Sequence, residues 1–195
     1  RNLNAGALPV PITLISQETV GPTLGKISLE KSLQAGVWGL LAVVVFMIIF
    51  YRLPGFLASI ALAIYVILNL TIFKLIPVTL TLAGIGGFIL SIGMAVDANV
   101  LIFSRIREES KVGKTLAISI GQGFRMAWPS IRDGNLTTLI VAVILFGFGN
   151  SFIKGFAFTL IIGILLSMFS AIMITKSFLK SLIGTKLEKA KILWH

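Results

Sequence analysis

Long apolar runs separated by short polar stretches dominate the chain after residue 35. Each run has about the ~20 residues that an α-helix needs to cross the hydrocarbon core of a bilayer. Lipid cannot hydrogen-bond a bare backbone, so each run must be helical. The pattern predicts an all-α, polytopic membrane protein with five transmembrane helices over 36–53, 56–76, 78–103, 135–152 and 155–176.

The breaks between these runs carry residues that end helices. Arg52 and the turn pair Pro54 and Gly55 separate the first two runs, and Pro77 separates the second from the third. Asp133 precedes the fourth run. We expect the helices to end at these positions.

Residues 1–35 are polar to mixed and contain three prolines and three glycines. They predict an extramembrane segment, with one short strand near 10–15 and turns elsewhere. Arg1 is not an initiator methionine and no signal-peptide pattern follows it. We therefore expect the chain to be a piece of a longer or processed polypeptide.

A polar stretch, 104–134, separates the third and fourth runs. Leu116 and Ile120 belong to a set of apolar positions within it that recur near helical spacing, which predicts an amphipathic helix at the membrane surface. We expect Trp128 to anchor this helix and the helix to end before Pro129.

The composition agrees with a membrane protein. Mean hydropathy is +1.01 and 12% of the residues are charged, about half the share that a soluble domain uses to cover its surface. The net charge of +10 arises from basic residues at the ends of apolar runs, so it indicates a lipid bilayer and no nucleic acid as partner. The absence of cysteine excludes disulfides and thiolate metal sites.

The Lys and Arg residues predict the orientation of the spans. With five spans, Arg52, the 104–134 stretch and the residues from Lys176 through the basic tail 181–195 share one side, which carries twelve of the seventeen basic residues. The other five are Arg1, Lys26, Lys31, Lys74 and Lys154. By the positive-inside rule the richer side, with the C-terminus, is cytoplasmic, and residues 1–35 are periplasmic or extracellular.

Asp97 is the one ionisable residue in the third run. An Asp at the centre of a spanning helix costs about 2.5–3.5 kcal/mol on insertion scales, so its presence needs a reason. Gly86, Leu90 and Gly93 share its helical face, and the two glycines would let another helix approach closely. We therefore expect Asp97 to face protein and to carry protons, being neutral in one state and charged in another. The alternative is an Asp that hydrogen-bonds a neighbouring helix for packing alone.

Five polar residues are candidates to support this carboxylate: Asn99, Asp133, Asn135, Thr137 and Thr138. Asn99 points elsewhere on its helix, where it would cap or hydrogen-bond a neighbour. Asp133 and Asn135 open the fourth run, where we favour N-capping of its helix. Thr137 and Thr138 would either bond back to their own helix or offer hydroxyls to Asp97.

Small residues recur four apart in the fifth run, at Gly163, Ser167, Ala171 and Thr175. This ladder predicts a tight helix contact, within the chain or with a partner. Asn69 in the second run is a lone amide of the kind that holds helices together.

Several enzyme classes are excluded by the residues present. No Gly-x-x-x-x-Gly-Lys-[Ser/Thr] loop exists for nucleotide hydrolysis by that route, and the only histidine is His195. An intramembrane aspartyl protease would need a second deep carboxylate beside Asp97. We expect a transport subunit without covalent catalysis, metal or organic cofactor, with protons as the coupling ion.

Three stretches resemble the SecD family, protein-export subunits of the RND (resistance-nodulation-division) superfamily. The sequences GMAVDANVLIF at 93–103 and RIREE at 105–109 are similar to that family's fourth transmembrane segment. DGNLTTLI at 133–140 resembles the start of its fifth span, and AGALP at 5–9 with TVGP at 19–22 resembles the end of its periplasmic domain.

The differences from relatives are also informative. RND drug exporters carry two adjacent aspartates at this place, whereas Ala98 follows Asp97 here. Ser104 and Gly134 depart from the residues that are usual in the SecD family, and both lie near the predicted cytoplasmic surface.

The resemblance implies spans two to six of an RND-type six-helix bundle, with the first span and most of the periplasmic domain outside this sequence. It implies a subunit that uses the proton-motive force, with SecF, to assist late translocation of unfolded polypeptide after the SecYEG channel and the SecA motor. The membrane would be the bacterial cytoplasmic (inner) membrane. Asp97 would carry the proton, and SecF would supply its cationic partner.

Two alternatives stay open at this point. A small-molecule or lipid exporter of the same superfamily would need a large apolar binding portion outside the membrane and usually a second intramembrane acid. A structural scaffold of the translocon would use Asp97 only as a contact between helices.

Overall fold

The structure, a computed structural model, describes residues 22–76 and 80–185, with the backbone alone at 22–24. Within these residues the regular elements are all helical, and no strand is present among them. The predicted strand at 10–15 and the tail beyond 185 lie outside the described residues. The helices are α1 (Pro22–Leu75), α2 (Leu82–Lys111), α3 (Leu116–Phe148), α4 (Ser151–Phe169), a π-helical turn (Ser170–Thr175) and α5 (Lys176–Ser181).

The prediction of an all-α, polytopic membrane protein is confirmed. Four helices are long and apolar enough to cross a membrane: α1, α2, α3, and α4 continued through the π-helical turn into α5. The 54 residues of α1 would make a straight helix of about 80 Å, far longer than a bilayer is thick. A break inside α1 resolves this mismatch.

The break lies at Arg52, whose φ of 50° and ψ of −117° are not helical. Eight residues apart in sequence, Gly55 and Met47 lie so close that a Cβ added to Gly55 would overlap the Met47 carbonyl group. In a straight helix these residues would be about 12 Å apart. The chain therefore folds back at Arg52, and α1 supplies the first two predicted spans as a hairpin.

The start of α1 corrects the predicted boundary at residue 36. The helix begins at Pro22, so residues 22–35 are helical rather than a series of turns. Proline is favourable in the first turn of a helix, because backbone N–H groups there have no hydrogen-bond acceptor within the helix and the absence of one costs nothing. Residues 26–35 are mostly good helix formers, and Lys26, Glu30 and Lys31 are exposed along them.

The polar stretch 104–134 is not a separate loop between two spans, although the helix predicted within it from Leu116 is present as the first part of α3. Here α2 continues to Lys111 and α3 begins at Leu116, so only a short turn containing Gly113 (φ 87°) joins them. Hydropathy locates the apolar part of a helix, but a helix continues through charged residues when these reach water. Ion pairs such as Arg105–Glu108 (2.7 Å) support the polar extension of α2.

Pro129 lies inside α3 and does not end a helix there. A proline removes one backbone hydrogen bond, which normally kinks or breaks a helix. The 33-residue α3 continues on both sides of Pro129, which is exposed. Consequently Asp133 and Asn135 are mid-helix residues, and the preferred N-capping role for them is wrong.

Other residues occupy the helix N-termini. The hydroxyl of Thr81 accepts a hydrogen bond from the Gly84 N–H at 3.1 Å, and the Asn150 amide oxygen accepts one from the Ile153 N–H at 3.0 Å. Thr115 stands at the N-cap position of α3 without a side-chain cap bond. The third and fifth predicted spans therefore start at these caps rather than at 78 and 155.

The second helix lies at the centre of the bundle, packed against α1, α3 and α4. Glycines set the separation of its neighbours: a Cβ on Gly87 would lie 2.6 Å from the Phe156 carbonyl oxygen, and one on Gly123 would lie 2.9 Å from the Ile106 nitrogen. Small residues thus let helix backbones approach closely, which is how membrane helices gain packing energy.

The basic segments meet at one end of the bundle. Next to the Arg52 hairpin, the ring of Tyr51 lies 5.5 Å from that of Phe103 at the end of the apolar part of α2. The ammonium group of Lys176 lies 5.5 Å from the centroid of the Phe124 ring in α3. We refer to this end of the bundle, which contains the Arg52 hairpin, the α2–α3 turn and α5, as the basic end.

Candidate functional site

Asp97 lines a cavity of about 210 Å³ between α2 and α3. Its polar lining groups include Asp97 from α2 and Ser130, Asn135 and Thr138 from α3. Liquid water occupies about 30 Å³ per molecule, so the cavity has room for several waters. The carboxylate of Asp97 therefore lies beside a space large enough to hold water.

Small residues make room for this cavity. Ala98 and Gly134 both line it, and neither side chain extends beyond Cβ. A Cβ added to Gly134 would meet no atom within 4 Å. Gly134 therefore lies beside the Asp97 cavity and leaves space there.

The polar residues of α3 differ in how they meet the cavity. Asn135 is buried and donates a 2.8 Å hydrogen bond to the Ile131 carbonyl, while Thr138 donates one of 3.1 Å to the Gly134 carbonyl. Thr137 also bonds back to its helix, at 2.8 Å to the Asp133 carbonyl, but it is exposed and does not line the cavity. Of the two options for the threonines, back-bonding is the one observed.

Asp133 lies outside the cavity, on the surface of α3. Its carboxylate forms an ion pair with the neighbouring Arg132 at 2.8 Å, and both side chains are more than half exposed. An exposed pair of this kind contributes little stability, between about 0 and 1 kcal/mol. Asp133 therefore does not line the Asp97 cavity that the structure describes.

The carboxylate of Asp97 makes no hydrogen bond or ion pair with any residue in the described ranges. No Lys or Arg belongs to the cavity lining that the structure describes. Asp97 itself is exposed, as are Gly86, Leu90 and Gly93 on the same face of α2. We call these four residues the Asp97 face.

The Asp97 face is not covered by a helix of the described chain. Leu90 is 50% exposed, and a Cβ on Gly86 or Gly93 would meet nothing within 4 Å. One side of Asp97 thus meets α3, while the glycine-containing side is open. The close helix contact expected at these glycines stays a prediction, and it would need a helix outside the described residues.

Asn99 lies behind Asp97 on the buried side of α2. Its amide nitrogen donates to the Ala95 carbonyl at 3.2 Å, and its amide oxygen accepts a 2.9 Å hydrogen bond from the Thr175 hydroxyl. In the same π-helical turn, the Ser170 hydroxyl donates to the Ala61 carbonyl at 3.4 Å. The polar side of this turn therefore connects α1 and α2.

The small residues of the fifth run are buried: Gly163, Ser167, Ala171 and Thr175. A Cβ on Gly163 would overlap the side chain of Ser91, so α2 and α4 approach closely at this point. The ladder therefore lies at a contact within the chain.

A buried polar group that the sequence reading missed lies at the same contact. The hydroxyl of Tyr65, which is fully buried, donates to the Ser91 hydroxyl at 2.7 Å and lies 3.3 Å from the Gly163 carbonyl. Asn69, one turn further along α1, donates to the Tyr65 carbonyl at 3.0 Å, and its amide oxygen has no hydrogen-bond partner among the described residues. In the sequence, this buried polar group is indicated by the four-residue spacing of Tyr65 and Asn69 within an apolar run.

Comparisons with known proteins agree with the membrane architecture. The family model "Protein export membrane protein SecD/SecF, C-terminal" matches residues 4–185. Protein translocase subunit SecD of Dehalococcoides mccartyi is 53% identical over 192 residues, covering 96% of this chain and 43% of the relative. The protein of the same name from Thermobaculum terrenum is 56% identical over 182 residues, covering 91% of this chain and 35% of the relative.

A solved structure has the same fold. The crystal structure of SecDF, a translocon-associated membrane protein from Thermus thermophilus, matches with a TM-score of 0.81 and 36% identity. The match covers 84% of this chain and 23% of that one. The chain thus spans less than half the length of these relatives.

Proposed function

The chain belongs to the SecD/SecF C-terminal family of protein export membrane proteins, and from this membership we propose that it is the membrane part of a proton-motive-force-driven subunit of the Sec export machinery. In this role it assists late translocation of unfolded polypeptide across the membrane. The subunit acts by moving protons and changing conformation, without covalent catalysis and with protons as the coupling ion.

The observation that carries the proposal is the environment of Asp97. Its carboxyl group lines a cavity between α2 and α3 that has room for several waters, and it has no ion-pair partner among the described residues. Because no ion pair within the described residues engages this carboxyl group, it is available both to exchange a proton and to pair with a cation from another subunit. Moving one charge across 100 mV is worth about 2.3 kcal/mol, enough to bias two helix arrangements of similar free energy.

The open Asp97 face supports a second subunit as part of the site. Gly86 and Gly93 leave room for a helix backbone to approach, and Leu90 is half-exposed on the same face. We propose that SecF covers this face and supplies the cationic partner of Asp97. The SecYEG translocon and its accessory subunits are the further partners in this proposal.

The basic end supports a cytoplasmic-membrane location with a defined orientation. Lys and Arg are concentrated at the Arg52 hairpin, around the α2–α3 turn and in α5, and Tyr51 and Lys176 place these segments together. We propose that this end faces the cytoplasm of a bacterial cell, with the N-terminal segment on the periplasmic or extracellular side.

The test is the exchange Asp97→Asn in the complete protein that contains this chain. Export of a preprotein is measured in membrane vesicles at constant ATP, with and without a proton gradient. We expect Asp97→Asn to abolish the part of export that depends on the gradient, because an amide cannot carry the proton. Co-purification with SecF is measured in parallel to establish that the complex still assembles.

Asp133→Asn is the matched control, since it removes the same charge from an exposed, ion-paired site on α3. We expect this variant to retain gradient-dependent export. The proton-carrier role would be contradicted if Asp97→Asn kept near-normal gradient-dependent export with the SecF complex intact. That result would favour a scaffold in which Asp97 is a contact between helices.

A further inference from the structure

A second cavity, of about 370 Å³, lies at the basic end between α2, α3 and the π-helical turn. Its apolar lining includes Ile102, Phe124, Ile131 and Ile172. Ile131 also lines the Asp97 cavity, so the two cavities lie on either side of that side chain. Among the described lining residues, Ile131 is the one that the two cavities share, and no charged or polar group of the Asp97 cavity lines the second.

The charged groups lining this cavity are both cations, Arg125 and Lys176. Neither forms an ion pair within the described residues. The carboxylates described at this end are already engaged elsewhere: Glu108 by Arg105, Glu109 by Lys114, and Asp133 by Arg132. The cavity therefore presents two positive charges whose counterion is not a described carboxylate.

The π-helical turn contributes to this arrangement. Ile172 belongs to the turn and Lys176 directly follows it, and both side chains line the cavity. A π-helical turn is rare and is often found at functional sites, because it widens the helix locally. The Phe124 ring lies 5.5 Å from the Lys176 ammonium group and favours a cation at that position.

The position in the bundle indicates the kind of anion. Trp128 lines the cavity, and tryptophan is enriched where a helix crosses the boundary between lipid and water. A small hydrated anion would gain nothing from the isoleucine and phenylalanine lining, whereas the glycerol and upper acyl groups of a lipid would. Basic pockets between transmembrane helices are suited to anionic lipid headgroups.

We propose that this cavity binds an anionic phospholipid of the phosphatidylglycerol or cardiolipin class. Arg125 and Lys176 hold the phosphate, and the residues from α2, α3 and the π-helical turn contact the glycerol and the first acyl carbons. The proposal does not rest on proton coupling, because none of its charged groups belongs to the Asp97 site.

The test is lipid titration of the complete, delipidated protein, followed by native mass spectrometry. We expect dioleoyl-phosphatidylglycerol to bind more tightly than dioleoyl-phosphatidylcholine, which has the same phosphate but no net charge. Arg125→Gln should weaken phosphatidylglycerol binding about fivefold, and Arg125→Gln with Lys176→Gln roughly thirtyfold, from the usual contribution of each cation near a membrane surface.

The matched control is Arg132→Gln with Lys180→Gln, which removes two charges from exposed positions at the same end. Affinity within twofold of the unmodified protein is the expected result for this pair. An equal loss in both double variants would mean that lipid responds to total surface charge, and the site would be rejected.

Gly121→Phe tests the cavity without changing its charge. Gly121 lines the cavity, and a Cβ there would meet nothing within 4 Å, so the larger side chain can occupy the space without straining the helix. We expect reduced phosphatidylglycerol binding and unchanged thermal stability. Full lipid affinity in this variant would overturn the proposal.

Two further outcomes would assign the cations to another ligand. Displacement of phosphatidylglycerol by millimolar inorganic phosphate would show that a free anion suffices. Loss of a partner subunit from the Arg125→Gln, Lys176→Gln variant, with lipid affinity unchanged, would show that the cations bind acidic protein groups. Either result overturns the lipid assignment.

Discussion

The hydroxyl of Thr175 donates a 2.9 Å hydrogen bond to the amide oxygen of Asn99, joining the π-helical turn to α2 across 76 positions of sequence. Both residues are buried, and Asn99 lies two residues beyond Asp97. This bond helps to fix the rotation of α2 about its axis, which determines where the Asp97 carboxylate points.

Thr175→Val should destabilise the protein by about 1–2 kcal/mol, because the nearly isosteric side chain leaves the Asn99 amide oxygen unpaired in a buried site. Thr175→Ser keeps the hydroxyl and should lose less. A double-mutant cycle with Asn99→Leu, measured by reversible unfolding in mixed micelles, should give a coupling of about 0.6–1.7 kcal/mol. A coupling free energy of zero would show that the hydrogen bond between Thr175 and Asn99 does not stabilise the protein.

Tyr65→Phe should lower stability by about 0.6 kcal/mol and by no more than about 1.7 kcal/mol, the average and the largest value found for hydrogen bonds between membrane helices. The phenylalanine ring fills the same buried site, so the cost comes from losing the 2.7 Å bond to Ser91 rather than from a cavity. The control is Tyr51→Phe, which removes a tyrosine hydroxyl near the membrane surface. Unfolding free energy is again the measurement, and an unchanged value for Tyr65→Phe would contradict the prediction.

Gly163→Ala should be destabilising by about 1–3 kcal/mol, because the added methyl group would overlap the Ser91 side chain and force α2 and α4 apart. Gly93→Ala is the matched control on the Asp97 face, where a Cβ meets nothing within 4 Å. In the absence of other subunits it should be neutral or stabilising by up to about 1 kcal/mol. Thermal unfolding of both variants compares the two glycines directly, and equal effects would be inconsistent with the packing described here.

Gly55→Ala should disrupt the hairpin in α1, since the new methyl group would fall within the Met47 carbonyl group, which is backbone and cannot rotate away. Gly39→Ala lies in the same helix with nothing within 4 Å and is the control. We expect a clear loss of folded protein for Gly55→Ala and none for Gly39→Ala. Size-exclusion chromatography and thermal unfolding report the difference, and a stable Gly55→Ala variant would argue against a sharp turn at Arg52.

The limits of the sequence reading are clearest at the ends of helices. Hydropathy located the apolar segments because bilayer thickness sets their length and composition. It could not locate the ends of α2 and α3, because the polar extensions of these helices lie beyond the apolar segments and depend on local pairing such as Arg105–Glu108. Pro129 illustrates the same limit, because the local rule that proline ends a helix does not hold in α3, which continues on both sides of it.

By itself, the sequence determined the membrane class, the all-α fold, the family resemblance and the singular position of Asp97. These properties follow from composition and local pattern, because a lipid bilayer requires apolar segments whose backbone hydrogen bonds are satisfied within helices. The tertiary structure decided which residues meet: that Asp97 shares a cavity with Asn135 and Thr138, that Asn99 bonds the π-helical turn, and that the Asp97 face is left open. Such relationships depend on the rotation and separation of helices distant in sequence, which are set by close packing at residues such as Gly163 rather than by any local pattern.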